Sequence, residues 1–258
     1  MRHGILIFIL SALVGSPLLQ LNASDEFASD EFASDEFASD EFIRQRILQG
    51  FTDTYGGVLD ANTLSSISIE GVQIHGDQEY RFIMRKKRPS SVRYRLEQAE
   101  GVVIAGYNGR DAWLQKIQGG QSELSELAGA QLEMIRREAE FEGPLYRHRE
   151  KPENKITMEG RALVDGADCY VLKVEEPNGR MSHYYLDAYE SYVLRLDRLA
   201  EDGSIAFQTF YRDYRTVEGY PFAYEIENRI DGETVALIQV EQIQVNPGLL
   251  SFYFEVPE

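Results

Sequence analysis

The 258-residue sequence predicts a mainly β protein with helices (α+β), built as one large curved antiparallel sheet of about 11–12 strands with helices over its concave face. Three observations predict it. Short runs of alternating apolar and polar residues recur from Ile67 to Val245. Turn signals at Asn108-Gly109, Asp165-Gly166, Asn178-Gly179, Asp202-Gly203 and Asp231-Gly232 separate them. One internal stretch, Leu124 to Ala139, changes to the helical period. Alternation with one wet face belongs to antiparallel strands, and 43% hydrophobic positions suffice for a single core.

The first element is an export address. Met1-Arg2-His3 and the apolar run Ile5 to Val14 form the n-region and h-region of a secretory signal. Ser11, Gly15, Ser16 and Pro17 interrupt the run before it reaches the roughly 18 residues of a membrane span. Cleavage is expected after Ala23; Ser16 is an alternative, weakened by Pro17. No cysteine follows the h-region, so no lipid anchor is expected. Cys169, the single cysteine, has no disulfide partner and reads as a buried, inert thiol.

Residues 23–42 are four copies of Ala-Ser-Asp-Glu-Phe, ending at Phe27, Phe32, Phe37 and Phe42. A step of five advances about 140° around a helix and alternates faces on a strand, so neither geometry gathers the phenylalanines. The expected organisation is a signal peptide at 1–23, an acidic linker at 24–42 and a single domain at 43–258. With 26 Lys and Arg against 43 Asp and Glu, the formal charge of −17 disfavours nucleic acid as a partner. Four histidines and one cysteine form neither C-x-x-C nor H-E-x-x-H; no zinc site and no cofactor are expected.

The domain opens with an amphipathic helix, since Ile43, Ile47, Leu48, Phe51 and Tyr55 recur at helical spacing and Gly56-Gly57 offers a stop. Strands follow around Ile67 and Ile69, around Tyr80, Phe82 and Met84, and around Val92, Tyr94 and Leu96. Further runs cover 102–107, 111–117, 155–163, 168–175, 181–187, 191–199, 204–214, 222–231 and 234–245. Between them a second helix is expected from the N-cap Ser122 to the Gly143-Pro144 stop, with Leu124, Leu127, Ala128, Leu132, Ile135 and Ala139 as its apolar stripe. A helix inserted into one large sheet must cover apolar surface. The inner face is expected to carry Ile67, Phe82, Met84, Tyr94, Leu96 and Trp113, with Leu127 and Ile135 from the helix, a lining of large and adaptable side chains suited to an acyl chain.

Lys87-Arg88-Pro89 between two strands, then Val92-Arg93-Tyr94, then Tyr107-Asn108-Gly109 and Trp113, resemble in order and spacing a pattern of the outer-membrane lipoprotein carriers (LolA-like). Phe252-Tyr253-Phe254-Glu255-Val256-Pro257 is similar to that family's closing Phe-x-Phe-x-x-Pro. Asn108 replaces the family's usual aspartate, and the first strand lacks its Phe-x-Gln element, so the resemblance is to a divergent member. It implies an open, unclosed half-barrel with a helical lid. It further implies a monomeric periplasmic carrier that takes lipoprotein acyl chains, or other lipid, from an inner-membrane transporter to an outer-membrane acceptor. For Arg88 it implies the arginine before proline that holds the lid and influences cargo release; for Trp113, a place in the barrel wall, in either a core or a cavity role.

Two other classes compete. An envelope sensor or scaffold could use the same half-barrel to bind a protein. A hydrolase would need Ser182, His183 and Asp187, but neighbours on a strand point to opposite faces, and enzymatic activity is not expected.

Overall fold

The computed structural model describes residues 40–59, 63–141, 143–145 and 153–257; the expected signal and the repeats up to residue 39 lie outside them. The chain enters on helix α1, Asp40–Leu59. The helix starts inside the fourth repeat, ahead of the expected Ile43, where Glu41 suits a helix N-terminus and pairs with Arg44 at 2.5 Å. It also runs through Gly56 and Gly57 instead of stopping. A glycine costs a helix interior about 1 kcal/mol without forbidding it, and Phe51 and Tyr55 are already packed when the chain arrives there.

Six strands form the first half of the sheet: β1 Ser66–His75, β2 Gln78–Lys87, β3 Ser91–Gln98, β4 Gly101–Tyr107, β5 Ala112–Gln118 and β6 Gln121–Glu126. Helix α2, Gly129–Ala139, follows. The second half is β7 Lys155–Val164, β8 Ala167–Glu175, β9 Met181–Asp187, β10 Val193–Leu199, β11 Ile205–Val217, β12 Tyr220–Ile230 and β13 Glu233–Val245. Each half is an antiparallel meander, and they join where β1 pairs with β13. Close approach at that seam needs Gly71, beside a bulge, since a Cβ there would sit 2.1 Å from the Gln239 carbonyl oxygen. The curved sheet does not close: β6 and β7 are its two edges, and the segment containing α2 connects them.

Among the described residues thirteen strands replace the expected 11–12, and the addition is β6. Residues 121–126, expected in the second helix, pair with β5 from Gln118↔Gln121 to Trp113↔Glu126 after the Gly119-Gly120 turn. Leu124 is therefore exposed on an edge strand instead of lying in a helical stripe. The expected turn signals all fall between strands, with Asp165-Gly166 and Asp231-Gly232 taking positive φ at both residues, as two-residue hairpins of the mirror-image type require.

Both helices lie on the same face of the sheet. Across the first half, the register aligns Leu114, Ala105, Tyr94, Met84, Ile69 and Ile243 on that face, where Leu127, Ile135 and Ala139 meet them. Across the second half, Leu196, Tyr184 and Leu172 continue it, and Ile47, Leu48 and Phe51 of α1 pack there with Leu145, Ile156 and Leu186.

Candidate functional site

Seven of the eight side chains expected to line the inner face come together on the helix-covered face: Ile67, Phe82, Met84, Tyr94, Leu96, Leu127 and Ile135, all buried in one cluster. Phe82 and Tyr94 stack at 5.7 Å. The Tyr94 hydroxyl donates to Gln73 Oε1 at 2.6 Å, within a surround that leaves Gln73 no exposure. Burial, then the charge of Glu138, pushes the Tyr94 hydroxyl well above its ordinary pKa, so it stays a donor. Sequence reading missed Gln73; its signal was a polar residue at an inward position of β1.

Trp113 is the exception and a correction. It lies on the opposite face, because in β5 it alternates with Ala112 and Leu114, which face the helices. Its indole covers Gly106, where a Cβ would come within 2.4 Å of the ring. Its Nε1–H donates to the Phe254 carbonyl at 3.3 Å. The 3-10 turn Ser251–Phe254 straps this back face: Arg93 lies 4.6 Å from the Tyr253 ring and donates to its carbonyl at 2.8 Å, and Arg85 bonds the Tyr253 hydroxyl. Trp113 is therefore a wall and core residue, sealed from the helix-covered side by the sheet.

The C-terminal end of α2 is gripped by two cations. Lys86 Nζ donates to the Glu140 carbonyl at 2.7 Å and lies 3.7 Å from the Glu138 carboxylate. A cation there meets the unsatisfied carbonyls and negative end of the helix. Arg88 stands at the turn after β2, 4.6 Å from the ring of Phe141, which directly follows the helix; its Nε donates to the Leu64 carbonyl at 2.6 Å. The residue singled out by the Lys-Arg-Pro motif thus touches both the entry to β1 and the exit of α2. Lys86 carries no motif signal and was missed.

Ser182, His183 and Asp187 are not brought together. Ser182 and His183 occupy opposite faces of β9, while Asp187 Oδ1 accepts the backbone N–H groups of Tyr189 and Glu190 in a turn. Burial lowers the His183 pKa. Cys169 is buried, its thiol pushed up to about 11 chiefly by desolvation. Among the described residues no group of three or more His, Cys, Asp or Glu is placed to hold a metal, and no helix is long and apolar enough to cross a membrane.

An open antiparallel half-barrel with two helices on one face defines the class of protein by architecture, and solved structures share it. No family model matches the chain, and no curated protein matches it. A DUF1329 family protein from Desulfovibrio piger aligns at 14% identity over 82% of this chain and 96% of that one, with a TM-score of 0.59. A putative outer membrane lipoprotein-sorting protein domain from Vibrio parahaemolyticus aligns at 11% identity over 81% and 94%, with a TM-score of 0.55. A LolA superfamily protein from Nitrosomonas europaea aligns at 15% identity over 82% and 96%, also at 0.55. The chain thus shares its fold with these three proteins, in keeping with the open half-barrel that the Lys-Arg-Pro and closing aromatic motifs implied.

Proposed function

We propose that this protein is a lipid- or lipoprotein-binding carrier of the cell envelope. Its helix-covered face would shelter acyl chains, with α2 and its Ile135 as a lid over an inner face made of Ile67, Phe82, Met84, Tyr94 and Leu96, with Leu127 just ahead of the helix. The observation that carries this reading is the continuous apolar row running under α2 on the inner side of an unclosed sheet. Such a row holds a chain without any chemistry, at about 0.8 kcal/mol per buried methylene. Release then needs a partner that favours a different position of α2. Arg88 and Lys86, which touch the end of α2, would set that position. A periplasmic location, an inner-membrane donor and an outer-membrane acceptor follow from the same reading.

A scaffold that binds a protein partner is the second reading, and one observation favours it: the lining residues are already buried by α2 and by one another, at 1% exposure for Phe82 and 4% for Ile135. Native mass spectrometry of the protein purified from its own envelope fraction, followed by organic extraction, separates the two. A stoichiometric lipid or acylated peptide is expected. Repeated recovery of empty protein that takes up no lipid when offered would leave the scaffold.

A further inference from the structure

Arg198 breaks the apolar pattern of the helix-covered face. It faces Phe207 across β10–β11 and Ser182 across β9–β10, on the same side of β10 as Leu196. Its Nη1 is buried and has no hydrogen-bond partner among the described residues. The guanidinium lies 5.7 Å from the Phe207 ring. Burial lowers its pKa to about 10 with help from the charge of Arg137 on α2, against Tyr211, Tyr184 and Glu138. Arg137 is itself lowered by burial and by Arg180, with Glu176, Tyr184 and Glu140 acting the other way. Glu138, the carboxylate that acts on Arg198, is paired with Lys86.

A second orphan lies on the same face. Asn228 Nδ2 on β12 is buried without an acceptor among the described residues, while its side-chain oxygen accepts the Thr209 hydroxyl. Both orphans are donors. A buried guanidinium nitrogen without an acceptor is among the costliest groups a fold can hold, and it is complementary to an anion. Apolar Phe207, Ile226 and Ile238 belong to the same face, and Tyr184 and Tyr211 on it are partly buried.

We infer that Arg198 seats the head group of an anionic single-chain amphiphile, a carboxylate or a phosphate monoester, whose chain runs along Phe207, Ile226 and Ile238, with Arg137 of α2 adding positive charge on the same side of the sheet. This rests on the lipid-binding reading above and names its ligand class. The two heads share their chemistry: each offers oxygens in the geometry that a guanidinium donates to.

The test is calorimetric titration of the full chain with oleate, oleoyl lysophosphatidate and oleyl alcohol, each below its micelle concentration. At least one acid is expected to bind about tenfold or more tightly than the alcohol, the scale of a charge-assisted hydrogen bond. Arg198→Met should abolish that preference, keep alcohol binding and unfold at no lower temperature, since it removes a buried unpaired charge. Arg137→Gln, at a partly buried position, provides a milder second variant that should narrow the preference. Equal binding of acids and alcohol by the native chain, or a preference that survives in both variants, overturns the head-group seat and leaves the carrier reading standing. No binding of any of the three overturns both.

Discussion

Glu227 shows how much of the back face depends on single charges. Hydrogen bonds from Arg229, Thr234 and Arg212 outweigh its burial and hold its carboxyl at about 2, against an ordinary 4.5. Arg229 and Arg212 in turn lie 4.4 and 5.3 Å from the ring of Phe210. Because the folded pKa is depressed, the stability this group contributes is complete above pH 4.5 and is lost as pH falls from there towards 2. Glu227→Gln should therefore cost about 2 kcal/mol at neutral pH, the worth of charge-assisted bonds, and should flatten the acid limb of the stability curve. Urea midpoints between pH 7 and pH 2 check this; parallel acid limbs for the two proteins would sink it. The acidic partners of these arginines were not legible in sequence, because in a chain with 43 Asp and Glu no single carboxylate stands out. Trp113 was legible as buried but placed on the wrong face, although strict alternation with Ala112 and Leu114 contained the answer.

The two helices differ in how they are held. Tyr55 of α1 donates to the Tyr214 hydroxyl at 3.1 Å and accepts the Val193 N–H at 3.2 Å; burial pushes its pKa to about 12, so it stays neutral in this network. Arg44 reaches the Ile156 carbonyl at 2.9 Å, and Thr54 the Glu190 carbonyl at 3.0 Å. Helix α1 is thus tied to the sheet along its length. Helix α2 has no side-chain N-cap and buries Ile135, Glu138 and Ala139, with Lys86 and Arg88 gathered at its end. Lys86→Met removes a cation worth about 1 kcal/mol at a helix C-terminus, so amides of α2 should exchange with deuterium about fivefold faster. Amides of α1 should not change. Equal acceleration in both helices would mean that the variant loosens the whole fold and that Lys86 is no specific latch. At this scale the sequence misled at both helices: Gly56-Gly57 does not stop α1, and Leu124 and Leu127 fit a helical stripe, but the Gly119-Gly120 turn returns the chain along β5, whose open ladder recruits residues 121–126 despite their exposure.

On the scale of the whole molecule, the sheet divides two chemistries. The helix-covered side holds the large apolar cluster with its few buried polar groups, while the back carries arginine–aromatic and arginine–carboxylate contacts and the C-terminal strap. The meander and its turns were legible because period two and Gly-containing turn pairs are local signals; the β1–β13 seam and the orphaned Arg198 were not, because both arise from residues far apart in sequence. This division makes the single tryptophan a reporter of one side only. If ligand enters under α2, Trp113 stays enclosed by Gly106, Arg93 and Phe254, and its emission maximum should not move on lipid uptake. Deleting residues 251–258 should shift the same emission to the red, since the indole N–H then loses the Phe254 carbonyl and its cover. Steady-state fluorescence of both forms, with and without oleate, checks the pair of expectations. A shift caused by oleate in the intact chain, equal to that caused by removing the strap, would place the lipid on the back face and move the binding site away from α2.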